Sequence, residues 1–441
     1  MSGPDSYRSI LKLVWPLALG MVNNAVMQFV DRAYLAHESM TALDAVLPAG
    51  ILAWVFMGFF QSVVGYAGVF VGQFHGAGAR ERCADAFAAA GLLALVSWAL
   101  CLPLAPLGAG FLALALPAAD VLERADAYYG VLMRFGGFVF LQTAAAAYFT
   151  GRGRTRIVFA VNLAGNLLNV ALDPVFIFGW WGVPRMGIAG AACATVLSTA
   201  VQAAVLVAAG LRETGFRRRR IGDMLPRIVR FGVPSGLYEL LNMTSFAIFV
   251  FVTAGVGEVG LAASNACFTV NYLLFAPMMG FSLGAQTLVA QAIGRGDPDG
   301  AALAAKRTLR LAILFVAVPS LLVLVFAHPV LSIFAAETGA AADEFHRLGF
   351  TLLLLMTAWQ LFDATDVVLS GALKGAGDTK FVMWWMLAVS FGVWLPLVCL
   401  VRAHHNTMPA LWTTMIVDVL VIFAGTARRW FRGGWRSIRI V

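Results

Sequence analysis

Of 441 residues, 61% are hydrophobic and only 12% are charged, with a mean hydropathy of +0.83. Soluble domains carry about a quarter charged residues, so this composition excludes a soluble globular protein and implies an integral membrane one. The formal net charge of +8 raises nucleic acid as a partner, but the basic residues sit in alternate short loops between apolar runs, which excludes that class and points to topology instead.

Crossing a hydrocarbon core of ~30 Å takes about 20 helical residues. Runs of that kind predict twelve spans, at 10–36, 47–74, 86–116, 124–150, 156–180, 187–211, 226–255, 259–293, 301–335, 346–372, 379–402 and 408–428. The first is long, holds Pro16 and Asp31, and lacks a small-residue cleavage motif after it, so it reads as a mature helix and not a signal peptide. Arg80 and Arg82, Arg152 to Arg156, Arg212 with Arg217 to Arg220, Arg295, Lys374 and Lys380, and the tail from Arg428 to Arg439 mark alternate loops. The positive-inside rule then places both termini in the cytoplasm. Five cysteines are scattered without metal spacing, which predicts neither disulfides nor zinc.

Polar residues inside these spans carry the functional signal, because a charge at the bilayer centre costs about 2.5 to 3.5 kcal/mol on insertion scales. In the first span Asn24, Gln28 and Asp31 stand at i, i+4 and i+7, one face of a helix. In the fifth, Asn162, Asn166, Asn169 and Asp173 recur at steps of four, three and four. If the two stripes face each other, carboxylates and amide oxygens converge, a set suited to a small hard cation. A close carboxylate pair also suits a bound proton, since the two charges repel. Thr195 in the sixth span adds a hydroxyl. Interhelical hydrogen bonding alone accounts for Asn162 and Asn166 equally well, but packing does not need Asp31; snorkelling toward a helix end is the alternative for Asp173.

Span seven offers Glu239 and Asn242, three apart; span ten offers Gln360, Asp363 and Asp366 at steps of three. A negatively lined cavity attracts organic cations. Arg347 is the alternative partner that would make one of these acids structural. Aromatic and methionine side chains such as Trp54, Met57, Tyr272 and Met278 suit an adaptable apolar pocket, although lipid-facing and core roles are commoner.

The chain also repeats itself. "ILKLVWPLALGMVNN" from residue 10 matches "IVRFGVPSGLYELLN" from 228, with Pro16/Pro234 and Asn24/Asn242 in register, and at the same offset Gln73, Gly76 and Gly78 meet Gln291, Gly294 and Gly296. "GRGRTR" from 151 meets "GAGDTK" from 375 after a small shift. Two parallel six-helix lobes follow, residues 1–211 and 226–441, joined by a basic cytoplasmic linker at 212–225. Pseudo-symmetric bundles of this kind bind substrate near the midplane and alternate between outward-open and inward-open states.

The stretches "WPLALGMVNNAVMQFVDRAYLAH", "NLLNVALDPVFIFG" followed by "GIAGAACATVLS", and "GALKGAGDTK" resemble the multidrug and toxic compound extrusion (MATE) family over essentially the whole chain. The resemblance implies an all-α membrane fold of twelve helices in two pseudo-symmetric lobes, similar to NorM-type exporters. It implies an antiporter of organic, mainly cationic, compounds driven by Na⁺ or H⁺. By the same resemblance Asp31 matches the family's first-helix acid, Asn169, Asp173 and Thr195 its cation or proton site, Pro16 its bending proline and Asp363 its tenth-helix acid. Asn24 falls where the family often has a Gln near the drug. The seventh-helix acid falls at Asn242, with Glu239 one turn earlier, a departure that puts a second sodium site in doubt. Arg32 stands where a small polar residue is expected and is expected to point away from Asp31, with pairing to a carboxylate as the alternative. The substrate cavity is expected at Asn24, Gln28, Glu239, Asn242, Asp363 and Asp366.

The expectation is therefore a bacterial inner-membrane exporter, not an enzyme, working without a cofactor as a monomer on a small-molecule substrate. No G-x-x-x-x-G-K-[ST] loop appears, which disfavours a primary pump. A flippase of lipid-linked saccharides and a non-transporting receptor or scaffold are the alternatives; the first calls for a basic cavity, and the second leaves acids inside both lobes without a use.

Overall fold

In hydrocarbon every backbone N–H and C=O must find its partner within the chain, so apolar runs of this length fold as helices. The computed structural model describes residues 6–116, 118–215, 220–253, 255–334 and 340–441. Arg217, Arg218 and Arg219 of the linker and residues 335–339 of the acidic loop before span ten lie outside the described residues.

The first half runs α1 (Tyr7–Glu38), α2 (Met40–Gly65), α3 (Ala67–Gly76), α4 (Arg80–Cys101), α5 (Ala105–Ala115), α6 (Ala119–Phe135), α7 (Gly137–Gly151), α8 (Thr155–Phe178) and α9 (Ile188–Thr214). The second runs α10 (Ile221–Thr253), α11 (Glu258–Gly294), α12 (Pro298–Val325), α13 (Ala327–Ser332), α14 (Ala340–Ala376), α15 (Thr379–Val389), α16 (Leu395–His404) and α17 (Met408–Phe431). A π-helical turn, Ser390–Trp394, joins α15 to α16. Among the described residues eleven continuous stretches are long and apolar enough to cross a membrane; α6 and α7, bent by 46° at Gly136, make the twelfth. Several helices outrun the predicted spans: the third begins at Arg80 and not at residue 86. Hydropathy marks only the stretch inside hydrocarbon, whereas the helix continues into the headgroup layer.

The chain divides into two units, with boundaries falling inside α1, α10 and α11. One unit comprises Leu19–Leu240, Ala290–Asp297 and Ile440–Val441; the other comprises Met1–Ala18, Leu241–Val289 and Pro298–Arg439. Pro16 and Pro234 lie inside unbroken helices, and each leaves a carbonyl one turn earlier without its usual helical donor.

In the first unit α8 and α9 approach closely because glycines line the contact. A Cβ on Gly190 would stand 2.5 Å from the Phe176 carbonyl oxygen, and one on Gly165 would run into the Gln202 side chain. This approach sets the polar face of α8 against Thr195. The core of the second unit is aromatic: Phe249 stacks on Trp394 with ring centroids 5.4 Å apart. Buried indole N–H groups find partners there, Trp412 donating to Ser264 Oγ at 3.0 Å and Trp394 to Thr414 Oγ1 at 3.1 Å, as burial requires.

Candidate functional site

The two polar stripes of the first unit do face each other. Asn166 Nδ2 donates to Asn24 Oδ1 at 2.8 Å, tying α8 to α1. One turn on, in the amide orientation that pairs donor with acceptor, Asn169 donates to Asp31 Oδ1 at 2.9 Å and accepts from the backbone N–H of Thr195 at 3.2 Å. One further turn along α8, Asp173 is fully buried, and its carboxyl lies within hydrogen-bond reach of Asp31. Neither Asp173 oxygen meets a hydrogen-bond donor among the described residues. Two carboxylates in contact with no donor between them make a site that a proton or a small cation completes. The Thr195 hydroxyl donates to the Ala191 carbonyl at 3.0 Å, leaving its oxygen free to accept.

Not every member of the stripes joins. Gln28 is exposed. Asn162 accepts from Gln142 Nε2 at 3.0 Å, a link between α7 and α8 away from the acids. Arg32 is exposed and forms no ion pair among the described residues, although its charge is felt at Asp31.

In the second unit Asp366 is buried on α14 and accepts from Thr426 Oγ1 of α17 at 2.5 Å. The cation that acts on Asp366 is Lys374, two turns later on the same helix, not Arg347, which is exposed nearer the start of α14. Asp363 is half-buried one turn before Asp366, and Gln360 is buried with its side-chain oxygen meeting no donor among the described residues. Glu239 and Asn242 stand one turn apart on α10, half-buried, on either side of the division between the units. Among the described residues no three His, Cys, Asp or Glu side chains gather closely enough to hold a metal ion. A monovalent cation in the first unit would therefore rest on two acids plus amide and hydroxyl oxygens.

The MatE family model matches residues 16–175 and 234–400. The chain belongs to the MATE family. Both matched stretches of this MATE chain begin at a proline of the repeat, Pro16 and Pro234. A probable multidrug resistance protein NorM of Thermotoga maritima is 26% identical over 98% of this chain and 94% of its own length. A probable multidrug resistance protein YoeA of Bacillus subtilis is 26% identical over 93% and 90%. The crystal structure of the eukaryotic MATE transporter AtDTX14 superposes with a TM-score of 0.85 at 18% identity, over 98% of this chain and 97% of that one. That likeness is one of fold, the twelve-helix MATE architecture.

Two residues of this MATE chain escape sequence reasoning. Tyr128 on α6 stands close enough to Asp31 and Asp173 for both charges to act on it, and Gly50 on α2 leaves room beside its ring, a Cβ there lying 4.0 Å from Tyr128 Cε1. Asp418 on α17 comes close enough to feel both Asp363 and Asp366, with Oδ1 meeting no donor among the described residues. Asp418 sits alone in an apolar stretch and Tyr128 among the charged residues at the start of α6, so no polar stripe inside a span marks either; only the packing of a second helix does. The repeat, by contrast, extends to architecture and not to the acids: the residue in register with Asp31 is Phe249, buried against Trp394.

Proposed function

We propose that this MATE chain is a secondary antiporter that exports organic, mainly cationic, compounds across the bacterial inner membrane in exchange for Na⁺ or H⁺. The observation that carries the reading is the contact of Asp31 with Asp173, buried beside Asn169 with no donor for Asp173. The coupling ion binds there from outside, with Thr195 and Tyr128 beside it, and makes one state of the transporter more favourable than the other. Coupling needs only that ion and substrate bind the two states unequally. Membrane potential adds about 2.3 kcal/mol per charge per 100 mV to an inward-moving cation.

In this reading the two lobes, 1–211 and 226–441, alternate access about the basic linker 212–225, with both termini cytoplasmic and the chain acting as a monomer. Pro16 bends α1 between the states. The acids Asp363, Asp366, Asp418 and Glu239 give the substrate path the negative character that favours organic cations, and the amides of Asn24, Gln28 and Asn242 offer it neutral hydrogen-bonding groups. The bacterial relatives are named for multidrug resistance, which supports a broad small-molecule substrate.

The test is efflux of ethidium from cells carrying the wild type or Asp31→Asn, with the pH and Na⁺ gradients collapsed separately. Dependence on one gradient, lost in Asp31→Asn at equal expression, supports the reading and names the ion. Undiminished efflux from Asp31→Asn rejects the Asp31/Asp173 pair as the coupling element.

A further inference from the structure

Glu38 closes α1, seven residues and thus about 10 Å beyond Asp31 on the same helix face. Its side chain is only 6% exposed, and donors from three other segments converge on it. Ser39 Oγ donates to Oε2 at 2.7 Å, and Arg124 Nη1 reaches both oxygens at 3.4 and 3.3 Å. Arg185 Nη2 donates to Oε1 at 3.2 Å. Gly187, at φ +55°, passes so close that a Cβ there would lie 3.4 Å from Glu38 Oε1.

Each arginine belongs to an element that also carries, or leads to, a member of the cation cluster. Arg124 lies one turn before Tyr128 on α6. Arg185 belongs to the connection between α8, which carries Asn169 and Asp173, and α9, which carries Thr195. That connection is fastened to the end of α8 by the Met186 N–H, which donates to the Phe176 carbonyl at 2.9 Å, and by the Gly187 N–H, which donates to the Ile177 carbonyl at 3.2 Å. A single carboxylate therefore joins the ends of all the helices that build the cluster. In the second half of the repeat the residues in register with Asp31 and Glu38 are Phe249 and Val256, so acid and anchor are absent together.

We propose that Glu38 is a positioning residue for the cation cluster. Its carboxylate clamps α1, α6 and the α8–α9 connection, and so fixes the separation of Asp31, Asp173 and Tyr128 on which cation affinity depends. This rests on the cation-coupling reading above. Glu38 touches neither the ion nor its ligands; it acts one step further out than a ligand's own hydrogen-bond partner, through the helix ends that carry those ligands.

The test uses the purified full-length chain. Its thermal-unfolding midpoint is followed against Na⁺ at fixed pH, and against pH without Na⁺, for wild type, Asp31→Asn, Glu38→Gln, Arg185→Gln and Glu38→Gln/Arg124→Gln. The clamp predicts that Glu38→Gln raises the half-saturating cation concentration about tenfold, the lower end of what losing an outer partner costs a metal site. Ethidium affinity without the cation should stay within about twofold, a split that a merely structural role would not produce. The double variant should add little to Glu38→Gln, because the clamp acts as one unit. Arg185→Gln, which removes an exposed side chain and leaves the carboxylate, should shift in the same direction and answers the question if Glu38→Gln does not fold. Saturation of Glu38→Gln or Arg185→Gln at the wild-type concentration, with Asp31→Asn unresponsive, overturns the clamp alone. A wild type that responds to neither cation overturns the cation reading and the clamp with it.

Discussion

Replacing Asp173 by Asn should strengthen the fold while abolishing the response to the coupling cation. Both Asp173 oxygens are buried, meet no donor, and face the Asp31 carboxyl. Two full charges at hydrogen-bond contact repel by about 4 to 5 kcal/mol at an effective dielectric of about 20, a cost that a bound proton or cation removes. The Asn amide presents an N–H₂ group at the same place and of nearly the same size, and a hydrogen bond to a charged acceptor contributes about 1.5 to 3 kcal/mol. In cation-free buffer at mildly alkaline pH, where the wild-type site is least filled, Asp173→Asn should therefore unfold several degrees higher than wild type. One kcal/mol moves the midpoint of a 150–250-residue domain by about 2 to 4 °C, and a chain of this size by less. Adding Na⁺ or lowering pH should then raise the wild-type midpoint toward that of the variant and leave the variant where it is. Differential scanning fluorimetry in detergent measures both. A variant less stable than wild type without cation, or one that keeps the wild-type response, refutes the inference that Asp31 and Asp173 share one site.

Tyr128→Phe removes a hydroxyl close to that pair and leaves the ring; if the bound cation takes that oxygen as one further ligand, worth about 0.5 to 1.5 kcal/mol like a single hydrogen bond, the variant should weaken cation-dependent efflux roughly two- to tenfold in a transport assay, with expression unchanged. Asp418→Asn should raise the KM for a cationic substrate several-fold and leave a neutral one nearly unaffected, since it weakens a field and fills no pocket; equal effects on both would tie Asp418 to packing. Gly190→Val should lower the unfolding midpoint and the yield, because its Cβ would stand 2.5 Å from the Phe176 carbonyl oxygen and overpacking of this kind costs about 1 to 3 kcal/mol. Gly91→Ala, where nothing lies within 4 Å of the added carbon, is the control and should be neutral or stabilising by up to about 1 kcal/mol.

The sequence is most legible where a single helix carries the whole signal. Twelve spans can be read because apolar length is a property of each segment by itself, and the bent fourth span is found as one run because hydropathy ignores the 46° turn at Gly136. The stripe in α8 is likewise visible, since a helix brings Asn166, Asn169 and Asp173 to one side whatever surrounds it. Its limits appear at the stripe's ends: Asn162 turns to Gln142 of α7, and Gln28 on α1 is exposed. A 3.6-residue period defines a face, not what the face meets. Tyr128 and Asp418 depend on which helices pack together, and a single sequence gives no direct measure of that.

The repeat explains why the polar chemistry can be lopsided on a symmetric frame. Duplicated helices keep the residues that shape the backbone: the prolines at 16 and 234, which interrupt helical hydrogen bonding, and the glycines at 76 and 294, where a Cβ would run into the Gln291 and Gln73 carbonyl oxygens. No such backbone constraint fixes the acids. Where the first half places Asp31 against Asn169, the second places Phe249 against Trp394, and its own acids lie on α14 and α17. On the antiport proposed above, unlike sites in the two halves let the ion favour one state and the substrate the other, the differential affinity that coupling requires.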